Sequence, residues 1–304
     1  MKTSNDIRTQ GVSIVLGTYN RKSFLKLTIE SIRDEISHAA FPCEIIVVDG
    51  GSTDGTLRWL AKQKDIITII QHNRGNWKGK EIIRQSWGHF MNLGFRCAQG
   101  KYICMLSDDC LVIPGAIING YTEFESQIDL GKNVGAMAFF WRNWPVKKHY
   151  SVTHAKNNAT LVNHGIFLRK ALEEVEYIDE QTYFFYHADS DVCLRLLEKG
   201  YQILESSDSY IEHYSHANLR IKLSNTQQSK QDWQAFYTRW KDVLNLDEND
   251  SQNSWLFTNK EYEDPKKTYK KFSFLHLMNS WVFLLRYVYL KTENSPFLKK
   301  FIPE

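Results

Sequence analysis

The segment VSIVLGTYNR, residues 12–21, begins as a short apolar run and ends in a polar loop. The same order recurs in EIIVVDGGSTDGT at residues 44–56 and in KYICMLSDDC at residues 101–110. A short, continuous apolar run is typical of a strand that is buried on both faces of a parallel sheet. Helix-like stretches separate these runs, so the first third of the chain is predicted to be an α/β unit with crossover helices.

Further strands and helices can be assigned from the same patterns. Strands are predicted at residues 12–16, 44–48, 66–70 and 102–106, and a helix is predicted to begin after Pro114-Gly115. Asn20 is expected to be the N-cap of a helix ending near residue 37, and Asp54 to cap a helix ending near residue 64. Beyond residue 114 the pattern predicts strands at 134–141, 160–168 and 201–204 and helices at 187–199 and 232–243.

The composition excludes several classes of protein. The chain has 304 residues, of which 42% are hydrophobic and 24% charged, and this excludes a collagen, a disordered chain and a coiled coil. A net charge of +3 is too small to indicate a nucleic-acid-binding protein. The basic residues concentrate after residue 259, where nine Lys and Arg stand against five Asp and Glu.

The C-terminal segment and the cysteines bear on location. Residues 272–290 are apolar and aromatic with lysines on both sides. This pattern suits an amphipathic helix on an anionic membrane surface, or one packed against the domain or a second subunit. Polar residues interrupt the stretch, so it is not expected to span a membrane.

The five scattered cysteines contain no C-x-x-C pair, and the N-terminus shows no secretory signal. Both observations indicate that the protein is in the reducing cytoplasm.

Three polar loops follow the predicted parallel strands, at residues 17–21, 49–56 and 107–110. Because the carboxyl ends of parallel strands and the helix N-termini meet at one edge of a sheet, these loops predict a nucleotide site there. Asp49 can accept a hydrogen bond from a pyrimidine imide, or it can act as a turn or capping residue. Asp54 is interpreted mainly as a helix cap.

Asp108 and Asp109 are adjacent carboxylates at the end of a predicted strand. Two like charges this close repel each other unless a cation or solvent relieves them. Oxygen ligands at a strand end suit a hard divalent cation, Mg²⁺ or Mn²⁺, which could also bridge a pyrophosphate. The alternative interpretation is a solvated acidic turn.

Several segments taken together resemble a known enzyme family. They are the first two quoted segments, NRG at residues 73–75, NLGFRCAQGKYICMLSDDCLVIPGAI at 92–117 and FFYHADSDVCLRLLEKGY at 184–201. In this order they resemble family 2 glycosyltransferases over about residues 11–215, and in particular bacterial enzymes of surface polysaccharide synthesis. The resemblance implies a GT-A fold, in which a Rossmann-like α/β sheet flanked by helices binds the nucleotide sugar.

The resemblance also implies a domain organisation. The GT-A domain is expected to occupy residues 1–220, with a nucleotide-binding half at about 11–115 and an acceptor half at about 116–220. Residues 221–304 are expected to form a helical C-terminal extension that is basic and aromatic. Three roles are expected as alternatives for these helices: association with a membrane surface, formation of a homo-oligomer, or packing against their own domain.

Roles for single residues follow from the resemblance as well. Asp49 takes the position that contacts the nucleotide base, and the other matching nucleotide-binding residues are Thr18, Tyr19, Asn20, Arg21, Asn73, Ser107 and Asp108. The D-x-D motif falls on residues 107–109, so Asp109 takes the position of the metal ligand. His213, in SYIEHYSH, takes that of a second metal ligand. Ser107 departs from the family, which has aspartate there.

The catalytic base is expected in the predicted helix at residues 187–199. The family's E-D motif falls on Ala188 and Asp189, so the glutamate is absent and the aspartate is kept. Asp191 also matches the second acid, but residues two apart on a helix face different sides. Asp189 is therefore expected in the cleft as the base, and Asp191 in an ion pair with Arg195.

Aromatic residues of the second half are candidates for the acceptor side, with core packing as the alternative; they are Trp141, Trp144, Tyr183, Phe184, Phe185 and Tyr186. Trp77, Lys78 and Lys80 lie in a segment that could form a loop over the nucleotide.

The activity that the resemblance implies is inverting sugar transfer. The donor would be a nucleotide-diphosphate sugar, with UDP- or dTDP-sugars favoured, and the acceptor a hydroxyl of a saccharide or lipid-linked saccharide. Mn²⁺ or Mg²⁺ would be the cofactor, and Asp189 would deprotonate the acceptor. The enzyme is expected in the cytoplasm, either free or peripheral on the inner face of the membrane. The departures at Ser107 and Ala188 leave open a catalytically silent sugar-nucleotide-binding or scaffold protein on the same fold.

Overall fold

The structure is a computed structural model that describes residues 7–143, 147–214, 219–247, 250 and 255–262. Helices and strands alternate in the first half of the chain, and they follow each other in a less regular order in the second half. In chain order the elements are α1 (Ile7–Gln10), β1 (Val12–Thr18), α2 (Lys22–Ile36), β2 (Cys43–Asp49), α3 (Thr56–Leu60), β3 (Ile66–Ile70), β4 (Asn76–Trp77), β5 (Lys80–Glu81), α4 (Trp87–Cys97), β6 (Tyr102–Ser107), β7 (Cys110–Val112), α5 (Ala116–Asp129), β8 (Val134–Asn143), β9 (Tyr150–His154), β10 (Thr160–Leu161), β11 (Gly165–Leu168), α6 (Arg169–Glu174), α7 (Ala188–Glu198), β12 (Gln202–His213), α8 (Leu219–Leu244) and β13 (Leu256–Lys260).

One large sheet organises these elements. Strands β3, β2, β1 and β6 lie side by side in that order and are all parallel. Strand β11 pairs antiparallel with both β6 and β8, and β8 pairs with β9 and, in parallel, with β12. Because β1 lies between β2 on one side and β6 on the other, the chain reverses its direction of winding at β1. A ligand crevice is expected outside the carboxyl ends of the strands at such a point.

The middle residues of β1 and β2 are apolar at consecutive positions because both faces of the sheet are covered there. Ile14 and Leu16 of β1 pack with Leu25 of α2 on one face of the sheet. Val15, between them, packs on the other face with Phe95 of α4. Alternate residues of a strand point to opposite faces, so a strand between two helical layers must be apolar at every position.

Most of the predicted elements are confirmed. The strands predicted in the first third correspond to β1, β2, β3 and β6, and the predicted helices at 187–199 and 232–243 correspond to α7 and part of α8. The strand predicted at 201–204 is longer than expected, since β12 runs from Gln202 to His213. The helix after Asp54 is shorter and ends at Leu60.

Two local predictions were wrong. Asn20 is not an N-cap, since α2 is preceded by Arg21 and Asn20 adopts a left-handed backbone with φ of 51°. The strand predicted at 160–168 is divided into β10 and β11. The chain bends between them because Val162 donates its amide to Cys193 Sγ and Asn163 turns its side chain away to contact Asp189.

The part of the chain after residue 220 contributes to the sheet as well as to the helices. Helix α8 packs Phe236 and Trp240 into the core, and β13 pairs with β9. The division at residue 220 stays a prediction. The amphipathic segment at residues 272–290 lies outside the described residues, and so does Trp144. Within the described ranges, no helix combines the length and hydropathy that a membrane span requires.

Candidate active site

A cavity of about 530 Å³ opens at the carboxyl edge of the parallel strands. Its walls come from the loops after β1, β2 and β6, from the segment before α4 and from the loop before α7. This size lies in the range of small-molecule sites, which are roughly 300–1,000 Å³. The three loops that the sequence singled out therefore meet at one cavity.

Side chains tie the first two loops to each other. Asn20 donates its amide N–H to Ser52 Oγ (2.8 Å), and its side-chain oxygen accepts from the amide of Thr53 (2.7 Å). Asp54 accepts from the amide of Lys22 (2.9 Å), at the start of α2, and from that of Thr56 (3.0 Å), at the start of α3. The N-cap position of α3 is occupied by Gly55 and not by Asp54. Asp54 nevertheless accepts from the first amide of each of two helices, where a negative charge is favourable.

Asp108 and Asp109 share one internal cation, Arg21. The Arg21 Nη1 atom donates to Asp108 Oδ1 (2.7 Å) and to Asp109 Oδ2 (2.9 Å). Thr18 Oγ1 donates to the second oxygen of Asp108 (2.7 Å). Both carboxylates are almost fully buried, at 4% and 2% exposure, so the solvated acidic turn is excluded. Burial lowers the pKa of Arg21, but the two carboxylates outweigh it and raise that pKa above its usual value.

His213 lies on the other side of Asp109. Its Nε2 atom is 3.2 Å from Asp109 Oδ1, and its Nδ1 atom is 2.9 Å from Asn143 Oδ1. An amide oxygen at Nδ1 favours the proton on that nitrogen and leaves the Nε2 lone pair available to a cation. Two such acceptor atoms at this separation can be adjacent ligands of one octahedral divalent ion, so the donor set fits a metal.

The number of protein ligands is nevertheless small. Within the described residues no group of three or more His, Cys, Asp or Glu side chains is arranged to hold a metal ion. A metal at Asp109 and His213 would therefore need oxygen atoms from a substrate or from water to complete its coordination. This is the situation of Mg²⁺ sites that bind together with a phosphorylated substrate.

We expect Asp108 to make the stability of the protein depend on pH. Burial raises the pKa of Asp108 from 3.8 to about 6; the charge of Arg21 acts against this shift and that of Asp109 adds to it. Between these pH values the folded state retains a proton that the unfolded state releases, so the free energy of unfolding should fall as the pH rises through this window. Asp108→Asn cannot titrate and should lose this dependence.

Urea unfolding at about pH 4.5 and about pH 7 measures the effect. The difference in unfolding free energy between wild type and Asp108→Asn should change by a few kcal/mol between the two pH values. A difference that stays constant would show that this carboxyl group does not titrate in the window.

Asp49 is buried and does not line the cavity. Its Oδ1 atom accepts from the amides of Gly51 (2.8 Å) and Ser52 (2.7 Å). Its Oδ2 atom is buried without a hydrogen-bond partner among the described residues. Burial raises the pKa of Asp49, and the bonds from Ser52 and Gly51 act in the opposite direction. The turn role is thus observed, and one carboxylate oxygen remains without a donor.

The cavity also has a basic side that the sequence did not point to. Arg74 lies over the ring of Tyr19, 5.2 Å from its centre, and Arg84 lies over that of Phe184 at 4.6 Å. Burial, followed by the charge of Arg74, lowers the pKa of Arg84 to about 10, so Arg84 remains cationic at neutral pH. Arg74 stands inside the quoted NRG segment, whereas no pattern in residues 76–86 marks Arg84. Asn73 accepts from the amide of Gln85 and so joins the two segments.

Asp189 was expected in the cleft, but it does not line the cavity and instead bonds to a residue that does. Asn163 Nδ2 donates to Asp189 Oδ2 (3.0 Å), and the Asn163 side-chain oxygen accepts from Trp141 Nε1 (3.2 Å). Burial raises the pKa of Asp189, with the bonds from Ser190 and Asn163 acting against it. A carboxylate with a raised pKa is a better proton acceptor than an ordinary one. Asn163 was not predicted, because its place depends on the bend between β10 and β11.

Asp191 points to the opposite side of α7. It is fully buried and accepts from Arg195 Nε (2.7 Å), Trp240 Nε1 (2.9 Å) and the hydroxyl of Tyr183 (3.1 Å). The predicted ion pair with Arg195 is therefore present. These contacts are structural, and they show that the two aspartates have different environments.

The predicted residues divide into two sets. Those that line the cavity are Thr18, Tyr19, Arg21, Asn73, Ser107, Asp108, Asp109 and His213. Asn20, Asp49 and Asp189 do not line it and contact residues or loops that do. The hairpin of β4 and β5, which carries Trp77, Lys78 and Lys80, is exposed and contributes no residue to the wall.

The aromatic candidates also divide. Phe184, Phe185 and Tyr186 line the cavity, whereas Tyr183 is 1% exposed and belongs to the core. Trp141 is half-buried and its ring lies 5.6 Å from that of His213, edge to face. We call residues 183–186 the aromatic loop. Three of its residues, Phe184, Phe185 and Tyr186, line the same cavity as Asp108 and Asp109.

Comparison with known proteins identifies the fold. TarS residues 1–349 of S. aureus superpose with a TM-score of 0.53 and 16% identity, covering 78% of this chain and 66% of that one. The mannosyltransferase PcManGT of Pyrobaculum calidifontis, solved with GDP-Man and Mn²⁺, gives a TM-score of 0.52 and 19% identity, covering 90% and 71%. At these identities the likeness establishes the fold alone, and it confirms the expected α/β fold of GT-A type.

Sequence comparison identifies the family. Chondroitin synthase of Escherichia coli is 26% identical over 203 residues, which are 62% of this chain and 27% of that protein. The chain thus spans about a quarter of the length of this relative. The family described as Glycosyl transferase family 2 matches residues 13–171, more than half of the chain. With the acid pair, the cavity and the sheet in place, the chain belongs to glycosyl transferase family 2.

Proposed function

We propose that the chain transfers a sugar from a nucleotide-diphosphate sugar to an acceptor hydroxyl, with inversion at the anomeric carbon. One observation carries this proposal: a single cavity is lined by the acidic pair Asp108 and Asp109 and by Asn163, the hydrogen-bond partner of Asp189. Diphosphate binding needs cations, and Arg21, Arg74 and Arg84 line the same cavity. Transfer to a hydroxyl needs a base, and Asp189 is the proposed one.

The proposed donor site lies along the first two loops. The ring of Tyr19, with Arg74 over it, offers a surface on which a nucleotide base can stack. The buried Oδ2 atom of Asp49, a residue directly before Gly50 of the cavity wall, is an acceptor that suits the N–H of a uracil or thymine. UDP- or dTDP-sugars are therefore the proposed donors. The P. calidifontis mannosyltransferase was solved with GDP-Man, so GDP-sugars belong in the test.

The proposed cofactor is Mn²⁺ or Mg²⁺. Asp109 and His213 would hold the ion, and Arg21 would neutralise the remaining charge of Asp108 and Asp109. When bound, the ion would neutralise the negative charge of the departing diphosphate. The mannosyltransferase of P. calidifontis contains Mn²⁺ in its solved complex, which supports a metal on this fold.

The proposed base is Asp189. Inversion needs a single displacement, in which the acceptor hydroxyl loses a proton while its oxygen bonds to the anomeric carbon and the diphosphate leaves. Asn163 holds one oxygen of Asp189 and Ser190 donates its amide to the other, so the carboxylate has a fixed orientation. No covalent sugar–enzyme intermediate is required.

The proposed setting is the synthesis of a bacterial polysaccharide or glycoconjugate. The relative with the matching sequence is a chondroitin synthase of Escherichia coli, of which this chain covers about a quarter. A saccharide or lipid-linked saccharide is the proposed acceptor. Location in the cytoplasm, and a peripheral position at the membrane through residues 272–290, stay predictions.

A catalytically silent binding protein is the alternative function, and two measurements separate it from an enzyme. A melting-shift screen with UDP-, dTDP-, GDP- and CMP-sugars plus Mn²⁺ should identify the donor, since a ligand at 100 times its Kd stabilises the folded state by about 2.7 kcal/mol. Release of the nucleotide diphosphate should then be measured with that donor, first in water and then with saccharide acceptors. Binding without any turnover would favour the silent protein that Ser107 and Ala188 leave open.

A further inference from the structure

A buried carboxylate of α8 holds the aromatic loop through three backbone amides. Asp232 Oδ1 accepts from the amide of Phe184 (2.8 Å), and Oδ2 accepts from those of Phe185 (2.9 Å) and Tyr186 (2.8 Å). Asp232 is 1% exposed. Three consecutive N–H groups thus converge on one side chain that lies more than forty residues further along the chain.

The burial of the Asp232 carboxylate must be compensated by the hydrogen bonds that it accepts. Taking a carboxylate out of water costs free energy that hydrogen bonds must offset. In the described part of the chain no lysine or arginine forms an ion pair with Asp232, so the amides provide the compensation. Bonds from N–H groups to a charged acceptor are stronger and more directional than neutral ones. Each of the three peptide groups is therefore fixed in orientation.

The loop that is fixed in this way faces the cavity. Phe184, Phe185 and Tyr186 all line it, and the Phe185 and Tyr186 rings lie 5.0 Å apart in an edge-to-face contact. A second bond holds the loop from the other side, since Trp87 donates its amide to the carbonyl oxygen of Phe184 (2.8 Å). Two residues after Tyr186 the chain enters α7, so the same bonds fix the approach to that helix.

Helix α8 also holds α7 itself. Trp240 Nε1 donates to Asp191 Oδ1 (2.9 Å), and Arg239 lies 3.3 Å from the same oxygen. The side chains of Trp233 and Phe236 pack against the ring of His187, at the junction of loop and helix. The family match covers residues 13–171, and helix α8 lies outside that range. The contacts that α8 makes with the aromatic loop and with α7 are therefore not part of the matched region.

We propose that the aromatic loop is an acceptor subsite for a saccharide ring and that Asp232 is the positioning residue that holds it. The apolar C–H face of a pyranose packs on aromatic surfaces, and the hydroxyl of Tyr186 adds a polar group to such a surface. Helix α7, which carries Asp189, begins directly after this loop. Holding the loop thus holds the acceptor relative to the proposed base. This inference rests on the proposed transfer reaction and adds the site at which its acceptor binds and the residue that positions that site.

Asp232→Asn tests the positioning role. It keeps the size of the side chain, but its NH₂ group cannot accept, so at least one of the three amides loses its acceptor. A misplacement of about 1 Å can lower a rate by about 10²-fold, so we expect kcat/KM for the acceptor to fall by about 10- to 100-fold. Nucleotide binding and the hydrolysis of the donor by water should change less than about twofold, because the loops that bind the donor are untouched.

Amide hydrogen exchange gives a readout that does not depend on activity. In Asp232→Asn the peptide covering residues 180–187 should exchange faster, whereas peptides from β1 and β2 should keep the wild-type rate. Asp242→Asn is the matched control, since it removes the same charge from an exposed position of the same helix. This control should leave exchange, transfer and hydrolysis unchanged.

The outcomes separate the two proposals. Equal losses of transfer and donor hydrolysis, or unchanged exchange at 180–187, would overturn the role of Asp232. If Asp232→Asn does not fold, Asp232→Ser, which leaves room for water to accept from the amides, receives the same measurements. Failure of both variants to fold would also overturn it, since the carboxylate would then serve the whole fold. Absence of transfer and hydrolysis in the wild type would contradict the proposed function, and the exchange measurement would still test the loop.

Discussion

Asp189→Asn is expected to lower the turnover of sugar transfer by about 10²- to 10⁴-fold, the usual contribution of a positioned general base. The asparagine keeps the size of the side chain and can still accept from Asn163 or Ser190, but it cannot take a proton. Binding of the donor should survive, since the loops after β1, β2 and β6 remain intact. Turnover with a saturating acceptor, together with a nucleotide melting shift, measures both quantities.

Two control variants on the same helix sharpen this prediction. Glu198→Gln removes one charge at an exposed position of α7 and should have no effect on turnover. Asp191→Asn should lower the melting temperature, because it breaks a buried ion pair with Arg195 and leaves polar partners unsatisfied, at a cost of about 3–5 kcal/mol. If Asp191→Asn abolished transfer in a protein of unchanged stability while Asp189→Asn spared it, the roles of the two residues would have to be exchanged.

The separation of these two aspartates could be predicted from the sequence because helical geometry is local. Residues two apart face different sides of a helix, and an acid four residues before an arginine can pair with it. The structure has this arrangement, with Asp191 bonded to Arg195 and Asp189 bonded to Asn163. The partner of Asp189 was not predictable, because it comes from a chain bend 26 residues earlier.

The parallel strands and their loops were predictable for the same reason. An apolar run followed by polar residues encodes a buried strand and its carboxyl end within about ten residues. Asn20 shows where such reasoning fails. Its type and place suit an N-cap, but its side chain bonds instead to Thr53 in the neighbouring loop. A tertiary contact thus overrides a local preference.

Contacts between distant segments account for the remaining differences. Strand β13 joins the sheet next to β9, and Asp232 binds the aromatic loop across nearly fifty residues. No pattern in the sequence indicates either contact. A single aspartate in an amphipathic helix, such as Asp232, is normally expected to be exposed to solvent. Arg84 is similar, because only the folded chain places it over Phe184 in the cavity.

Asp109→Asn is expected to abolish most of the transfer activity while the protein remains folded. The carboxylate stands 3.2 Å from His213 and is a proposed ligand of a divalent ion. Losing one of two protein ligands should weaken Mn²⁺ binding and leave the diphosphate charge uncompensated, which costs several kcal/mol in the transition state. At about 1.4 kcal/mol for each tenfold change, turnover should fall by more than about 10²-fold.

Mn²⁺ binding measured by electron paramagnetic resonance gives the second readout for this variant. In the presence of the nucleotide diphosphate, the wild type should bind Mn²⁺ and Asp109→Asn should bind it at least about tenfold more weakly, as is usual when a metal site is disrupted. Asp129→Asn, an exposed change at the end of α5, is the control and should match the wild type. Chelator in excess should reduce the wild type to the rate of the variant, because both then lack the ion. Full wild-type activity in chelator, or near-normal turnover of Asp109→Asn, would refute the metal role. The role of Asp109 would then be its ion pair with Arg21.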